Sequence, residues 1–278
     1  LQLAVREYQL VPEGDIHIEH YNFAAFRCGE ILAELKDYDG LIAHFDRYLD
    51  RNREGSNFPQ ALYWQGNAWW QKGEQERALA FYRRAMETYG KDRKALGVDL
   101  ILDEWAGKLR SAPPALAEEG WRDLRDLLRK AGEEKEYALV LRLQRMLLYN
   151  PKTAETDRVA ILRNLMHPNS LPYASAAILD LILDEAQRQT NATLAATIAG
   201  KIVEDFPETD SAIAARMALA DLAAEGRDFE TAIRHLTVIR EVFAASGEAA
   251  EALLRLGSIY LQNRQFDEAD QAYHDLLG

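Results

Sequence analysis

The chain has 278 residues, 48% of them apolar and 28% charged, with a mean hydropathy of −0.33, so it is long enough and apolar enough to bury a sizeable core. Its 33 Lys and Arg against 45 Asp and Glu leave a net charge of −12, which repels phosphate backbones and anionic lipid and argues against nucleic-acid partners. The single cysteine, Cys28, excludes an intrachain disulfide and a cysteine-held zinc, and no stretch approaches the roughly 18 uninterrupted apolar residues of a membrane span, so this segment is expected not to insert into a membrane. From the N-terminus onward nearly every segment carries apolar residues at spacings of three and four, and strand-like alternation is not sustained. The first clear helical pair lies in FRCGEILAELKDYDGLIAHFDRYL and the second in ALYWQGNAWWQKGEQERALAFYRRAMETYG. Helical patterns then run around Leu96–Leu109, Leu116–Leu128, Tyr137–Leu148 and Val159–Met166. Further pairs surround Ala195 and Ala232, and a last one lies in LLRLGSIYLQNRQFDEADQAYHDLL. All eight prolines fall between these runs or at their first turn, where proline costs a helix least, and Gly40, Gly73, Gly132 and Gly226 stand where helix exits are expected.

Self-comparison supplies the organisation. Gly66, Trp69, Gly73, Ala78, Tyr82 and Ala85 recur in kind as Gly257, Tyr260, Ala269 and Tyr273, and as Gly29, Leu32, Leu41, Phe45 and Tyr48. Small residues open space where two helices cross and aromatics fill it. Leu41 to Ala78, Ala195 to Ala232 and Ala232 to Ala269 are each 37 positions, the mark of hairpins stacked so that each buries its apolar face on the next. The stretch 94–170 does not hold this period, with a possible bend at Ser111-Ala112-Pro113-Pro114. The reading divides the chain into N-terminal repeats (1–93), divergent hairpins (94–170) and C-terminal repeats (171–278) of one solenoid. Ala4 and Tyr8, 37 positions before Leu41 and Phe45, and the missing polar cap after Tyr273 suggest a piece of a longer chain.

At these positions the sequence resembles the tetratricopeptide repeat family: a small residue mid-way along the first helix, an aromatic three later, an alanine opening the second helix, then an aromatic and a small residue. The units with Gly66 and Gly257 match well. The unit with Gly29 has Leu41 for alanine, and those around Ala195 and Ala232 have Leu183 and Ala220 for glycine. The resemblance implies an all-α, right-handed α-α superhelix whose first helices line a binding groove. Carried position by position, it implies that the groove presents Phe23, Phe26, Glu30, Ala33 and Glu34, then Gln60, Tyr63, Asn67, Trp70 and Gln71. Asp180, Asp184 and Gln187 follow, then Met217, Asp221 and Glu225, and finally Leu254, Ser258 and Leu261. Members that grip a terminal carboxylate do so with lysine, arginine and asparagine. Asn67 matches one such site, but Phe26, Tyr63, Asp180, Met217 and Leu254 stand where lysine is expected, so that clamp is absent. The stretch IVEDFPETDSAIAARMALADL also resembles repeat proteins of the bacterial cell envelope, of the outer-membrane assembly and Tol-Pal type.

No residue set points to catalysis or to a cofactor. His17, Glu19 and His20 are closely spaced, but a metal site needs at least three ligands converging with an oriented second shell, and on a loop entering a helix these side chains read as capping or solvent residues. His44, His167, His235 and His274 stand singly. Glu118-Glu119 and Glu133-Glu134 are adjacent and so lie on different sides of a helix, and Cys28 reads as a small core residue. The expected function is a non-catalytic scaffold holding a protein or extended peptide with a basic or apolar segment. The alternatives are a structural spacer or docking arm of a larger, envelope-type assembly, and a regulatory repeat region of an enzyme whose catalytic domain lies elsewhere.

Overall fold

A computed structural model of the chain describes residues 3, 5, 18–52, 57–244 and 246–277. Asp15, Ile16, His17, the side chain of Glu19, and the early repeat positions Ala4 and Tyr8 lie outside the described residues. Everything regular within them is helical, apart from turns and one short 3-10 segment, and no strand occurs among them. The chain forms two compact units, Leu1–Ser175 and Ala176–Gly278.

The first unit contains α1 (Ile18–Glu34), α2 (Tyr38–Arg51), α3 (Phe58–Gln71), α4 (Gln75–Tyr89), α5 (Leu96–Ser111), α6 (Pro114–Glu133), α7 (Tyr137–Leu147) and α8 (Glu155–Leu165), followed by a 3-10 turn at Leu171–Tyr173. Helices pair with their sequence neighbours, and α1, α3, α5 and α7 also pack successively side by side as one layer. The second unit contains α9 (Ala176–Arg188), α10 (Ala192–Asp205), α11 (Asp210–Glu225), α12 (Phe229–Val242), α13 (Glu248–Gln262) and α14 (Phe266–Leu277), with α9, α11 and α13 forming the corresponding layer. The expected all-α arrangement of stacked hairpins is the observed one.

Two local devices repeat. The first is the glycine–aromatic pair. A Cβ on Gly29 would lie 2.4 Å from Phe45 Cε2, one on Gly66 2.4 Å from Tyr82 Cε1, and one on Gly257 2.4 Å from Tyr273 Cε1. In each hairpin the ring of the second helix therefore rests on the bare backbone of the first, as the sequence spacing predicts.

The second is the turn. Lys36, Gly73, Lys135, Thr190, Arg227 and Arg264 all have positive φ, between 51° and 83°. In each case the next residue's N–H donates to the carbonyl five residues back, as Asp37 to Leu32 (3.0 Å), Glu74 to Trp69 (3.0 Å) and Asp228 to Ala223 (2.8 Å). This is the 6→1 closure of a helix that ends in a left-handed residue. Only Gly73 of the four glycines expected at such exits occupies one. Gly40 lies in the first turn of α2, Gly132 inside α6, and Gly226 is right-handed (φ −75°), the left-handed place falling to Arg227 beside it. The α5–α6 connection is different: Ala112 is extended (φ −72°, ψ 157°) and Pro113 leads into a helix of 20 residues. The period fails in the sequence at this point.

Candidate functional site

The first-helix layer of the first unit carries the densest set of the expected groove residues. Tyr63 and Asn67 are one turn apart on α3, with the Asn67 amide donating to the Tyr63 hydroxyl (3.5 Å). Across on α5, Glu104 sits beside that hydroxyl. Burial, first, and the Glu104 charge push the Tyr63 phenol above its ordinary pKa. Lys108, one turn further along α5, places its ammonium 3.6 Å from Glu104 and 5.3 Å from the centre of the Trp70 ring. Five side chains on two adjacent helices thus form one connected surface, with an aromatic plane at each end and a neutralised charge pair between. Beneath it Tyr82 is fully buried and its hydroxyl has no hydrogen-bond partner among the described residues.

The other expected residues of this unit divide. Phe23 is 67% exposed and fully presented. Phe26 packs against Phe45 and Tyr48 (centroids 5.4 Å from each), so most of its ring serves the α1–α2 contact. Glu30 is held by Arg27 at 2.6 Å. Trp64 stacks on Phe45, and Trp69 lies under Arg77 (4.1 Å), as packing aromatics.

In the second unit Asp184 is exposed on α9, while Asp180 accepts a hydrogen bond from the Ser211 hydroxyl of α11. Asp221 pairs with Arg255 of α13, which also binds Glu251. Gln187, Asp221 and Glu225 line a cleft of about 290 Å³ whose wall is Ala186, Ala195 and Ala218. Met217 does not join them. It is only 8% exposed and packs with Ile213, Leu253 and Leu256, so its side chain belongs to the core and the expectation that it faces a groove is corrected. Leu254 and Leu261 are exposed.

Glu104 and Lys108 were not anticipated. Glu104 lies 37 positions after Asn67, and Lys108 lies 37 after Gln71. The period does extend one hairpin further on its first helix, and only the altered α5–α6 turn conceals it. Among the described residues no group of three or more His, Cys, Asp or Glu side chains is placed to hold a metal ion, and no helix is long and apolar enough to cross a membrane.

The fold defines a helical-repeat protein. Residues 29–92 and 217–277 each match the family model described as Tetratricopeptide repeat, which supports that family for these two segments. No curated protein gives a significant sequence match. Among solved structures the chain is similar to the "TPR2AB-domain:pHSP90-complex of yeast Sti1", at 14% identity and a TM-score of 0.33, over 89% of this chain and 86% of that one.

Proposed function

We propose that the chain is a non-catalytic interaction scaffold that holds a partner protein or extended peptide on the first-helix faces of its repeats. The observation that carries this reading is the connected surface of Tyr63, Asn67, Trp70, Glu104 and Lys108. Large aromatic planes beside amide and charged groups are the composition of binding anchors, and a preformed surface gives up little entropy on binding. The acidic groups Asp184 and Glu225 along the second unit favour a partner with a basic or apolar segment and an association that weakens with salt. Proteins captured on the purified chain and identified by mass spectrometry are to be re-measured as pure components. Tyr63→Ala with Trp70→Ala weakens the true partner by at least about tenfold. A partner that binds the double variant as it binds the wild type rules the surface out.

A second reading, a docking arm of a bacterial cell-envelope assembly, rests on the stretch 202–222. There Phe206 closes α10 as a buried residue, Pro207 follows, and the alanine-rich α11 begins at Asp210. Fractionation of cells producing the full-length protein tests it: a protein found only in the cytoplasm removes this reading.

A further inference from the structure

We propose that a cleft between α4 and α6, on second helices rather than first, is a docking site for a basic peptide segment of a partner protein. The cleft has a volume of about 410 Å³, within the range of ligand-binding pockets. Leu79, Trp105 and Leu116 give it an apolar base. Trp105 is 1% exposed and its indole N–H has no acceptor among the described residues, so the base also contains an unmet donor.

The walls are acidic. Glu76 stands on the α4 side and Glu119 and Asp126 on the α6 side, all exposed and with no ion pair or hydrogen bond among the described residues. Arg83 cannot serve them, because it is already bound to Asp123 across the cleft and to Glu87 on its own helix. Four carboxylates against the two guanidinium groups of Arg83 and Arg122 leave the lining negative. An apolar base with free carboxylates above it fits side chains that are themselves apolar below and cationic at the tip. Lysine and arginine lay their methylene stems on apolar surface and keep the charged head outside. A bare metal ion or ammonium leaves the base unfilled, and an acidic segment is repelled. The occupant is therefore a segment with basic side chains flanking an apolar anchor.

The test uses the whole chain and a fluorescein-labelled amphipathic peptide of leucine, lysine and alanine, with a glutamate-for-lysine peptide beside it, followed by fluorescence anisotropy. The lysine peptide binds and the glutamate peptide does not. Ala80→Trp, which fills the cleft from an exposed wall position, and Glu119→Gln with Asp126→Asn each weaken binding by at least about tenfold while circular dichroism stays unchanged. Asp267→Asn with Glu268→Gln, which removes the same charge from α14, leaves binding as it was. The proposal is overturned by absence of binding, by equal loss in the α14 control, by indifference to Ala80→Trp, or by spermidine displacing the peptide as well as an unlabelled copy does. The first-helix proposal survives each of those outcomes.

Discussion

Arg142 on α7 meets Asp99 on α5 with two edges of its guanidinium, Nε 3.3 Å from Oδ1 and Nη2 3.2 Å from Oδ2, with neither residue more than marginally exposed. The same guanidinium donates to the carbonyls of Gly90 (2.9 Å), Asp92 (2.5 Å), Arg93 (3.2 Å) and Ala95 (3.2 Å), and Ser175 donates its hydroxyl to Asp99 (3.1 Å). A buried ion pair stands near break-even only when its remaining hydrogen-bonding groups are satisfied, and here they are.

Removing one side of that pair leaves the other charged and enclosed. Arg142→Met is expected to destabilise the protein by about 3–5 kcal/mol, read from urea denaturation followed by circular dichroism. Arg142→Lys does not restore it, because one ammonium cannot reproduce a fork that serves six acceptor atoms. Adding Asp99→Leu to Arg142→Met costs clearly less than the two single changes summed.

The glycine–aromatic contacts separate two kinds of glycine. Gly66→Ala drives a methyl into the Tyr82 ring and costs about 1–3 kcal/mol. Gly200 on α10 has nothing within 4 Å of an added Cβ, so Gly200→Ala gains up to about 1 kcal/mol from helix propensity alone. Thermal unfolding of the two variants moves in opposite directions.

Left-handed turn positions give a third contrast. Thr190 is β-branched and holds φ 51°, whereas Gly73 holds φ 83° without a side chain. Thr190→Gly is expected to stabilise by about 1 kcal/mol and Gly73→Ala to destabilise by a similar amount. If both substitutions shift the urea midpoint the same way, local backbone conformation is not what governs these turns.

Two histidines make stability depend on pH. His44 is pushed below the ordinary 6.5 chiefly by burial, opposed by its 2.8 Å hydrogen bond to the Ala25 carbonyl and aided by Arg47. His235 is lowered by burial and by Arg216 and Arg234. The unfolded chain therefore binds more protons than the folded one as pH falls below about 6.5. Stability is complete above that value and is lost progressively towards the depressed folded pKa values. The midpoint of urea unfolding drops between pH 7.5 and 5.5, and His44→Gln with His235→Gln flattens that slope.

Much of this architecture is written in short-range pattern. Gly29, Gly66 and Gly257 with their rings sixteen positions later identify three hairpins, because a bare backbone under an aromatic is a local requirement visible in one unit. The turns were less legible: the left-handed place is held by lysine, threonine and arginine, whose type gives no warning, and the 6→1 hydrogen bond tolerates them. Tyr63, Asn67 and Trp70 follow from repeat phase, but Glu104 and Lys108 lie on the helix that runs into Ala112 and Pro113, where the usual turn is replaced and the second half of the hairpin no longer marks the register. Met217 shows the limit of phase from the other side. Its flexible side chain packs into the core with Ile213, Leu253 and Leu256, although repeat phase puts it in the groove column. Arg142 carries no local signal at all, since its partners lie about 43 to 52 positions earlier in the chain.

Stacked hairpins ordinarily come apart piecemeal, each opening with a free energy close to its own. A guanidinium that grips α5 and the whole 90–95 connection from α7 removes that freedom, since none of these can leave without stranding the rest. Amide hydrogens in α4, α5 and α7 should accordingly exchange as one cooperative block, slower than those of α1, and a protease will find its first foothold outside this knot.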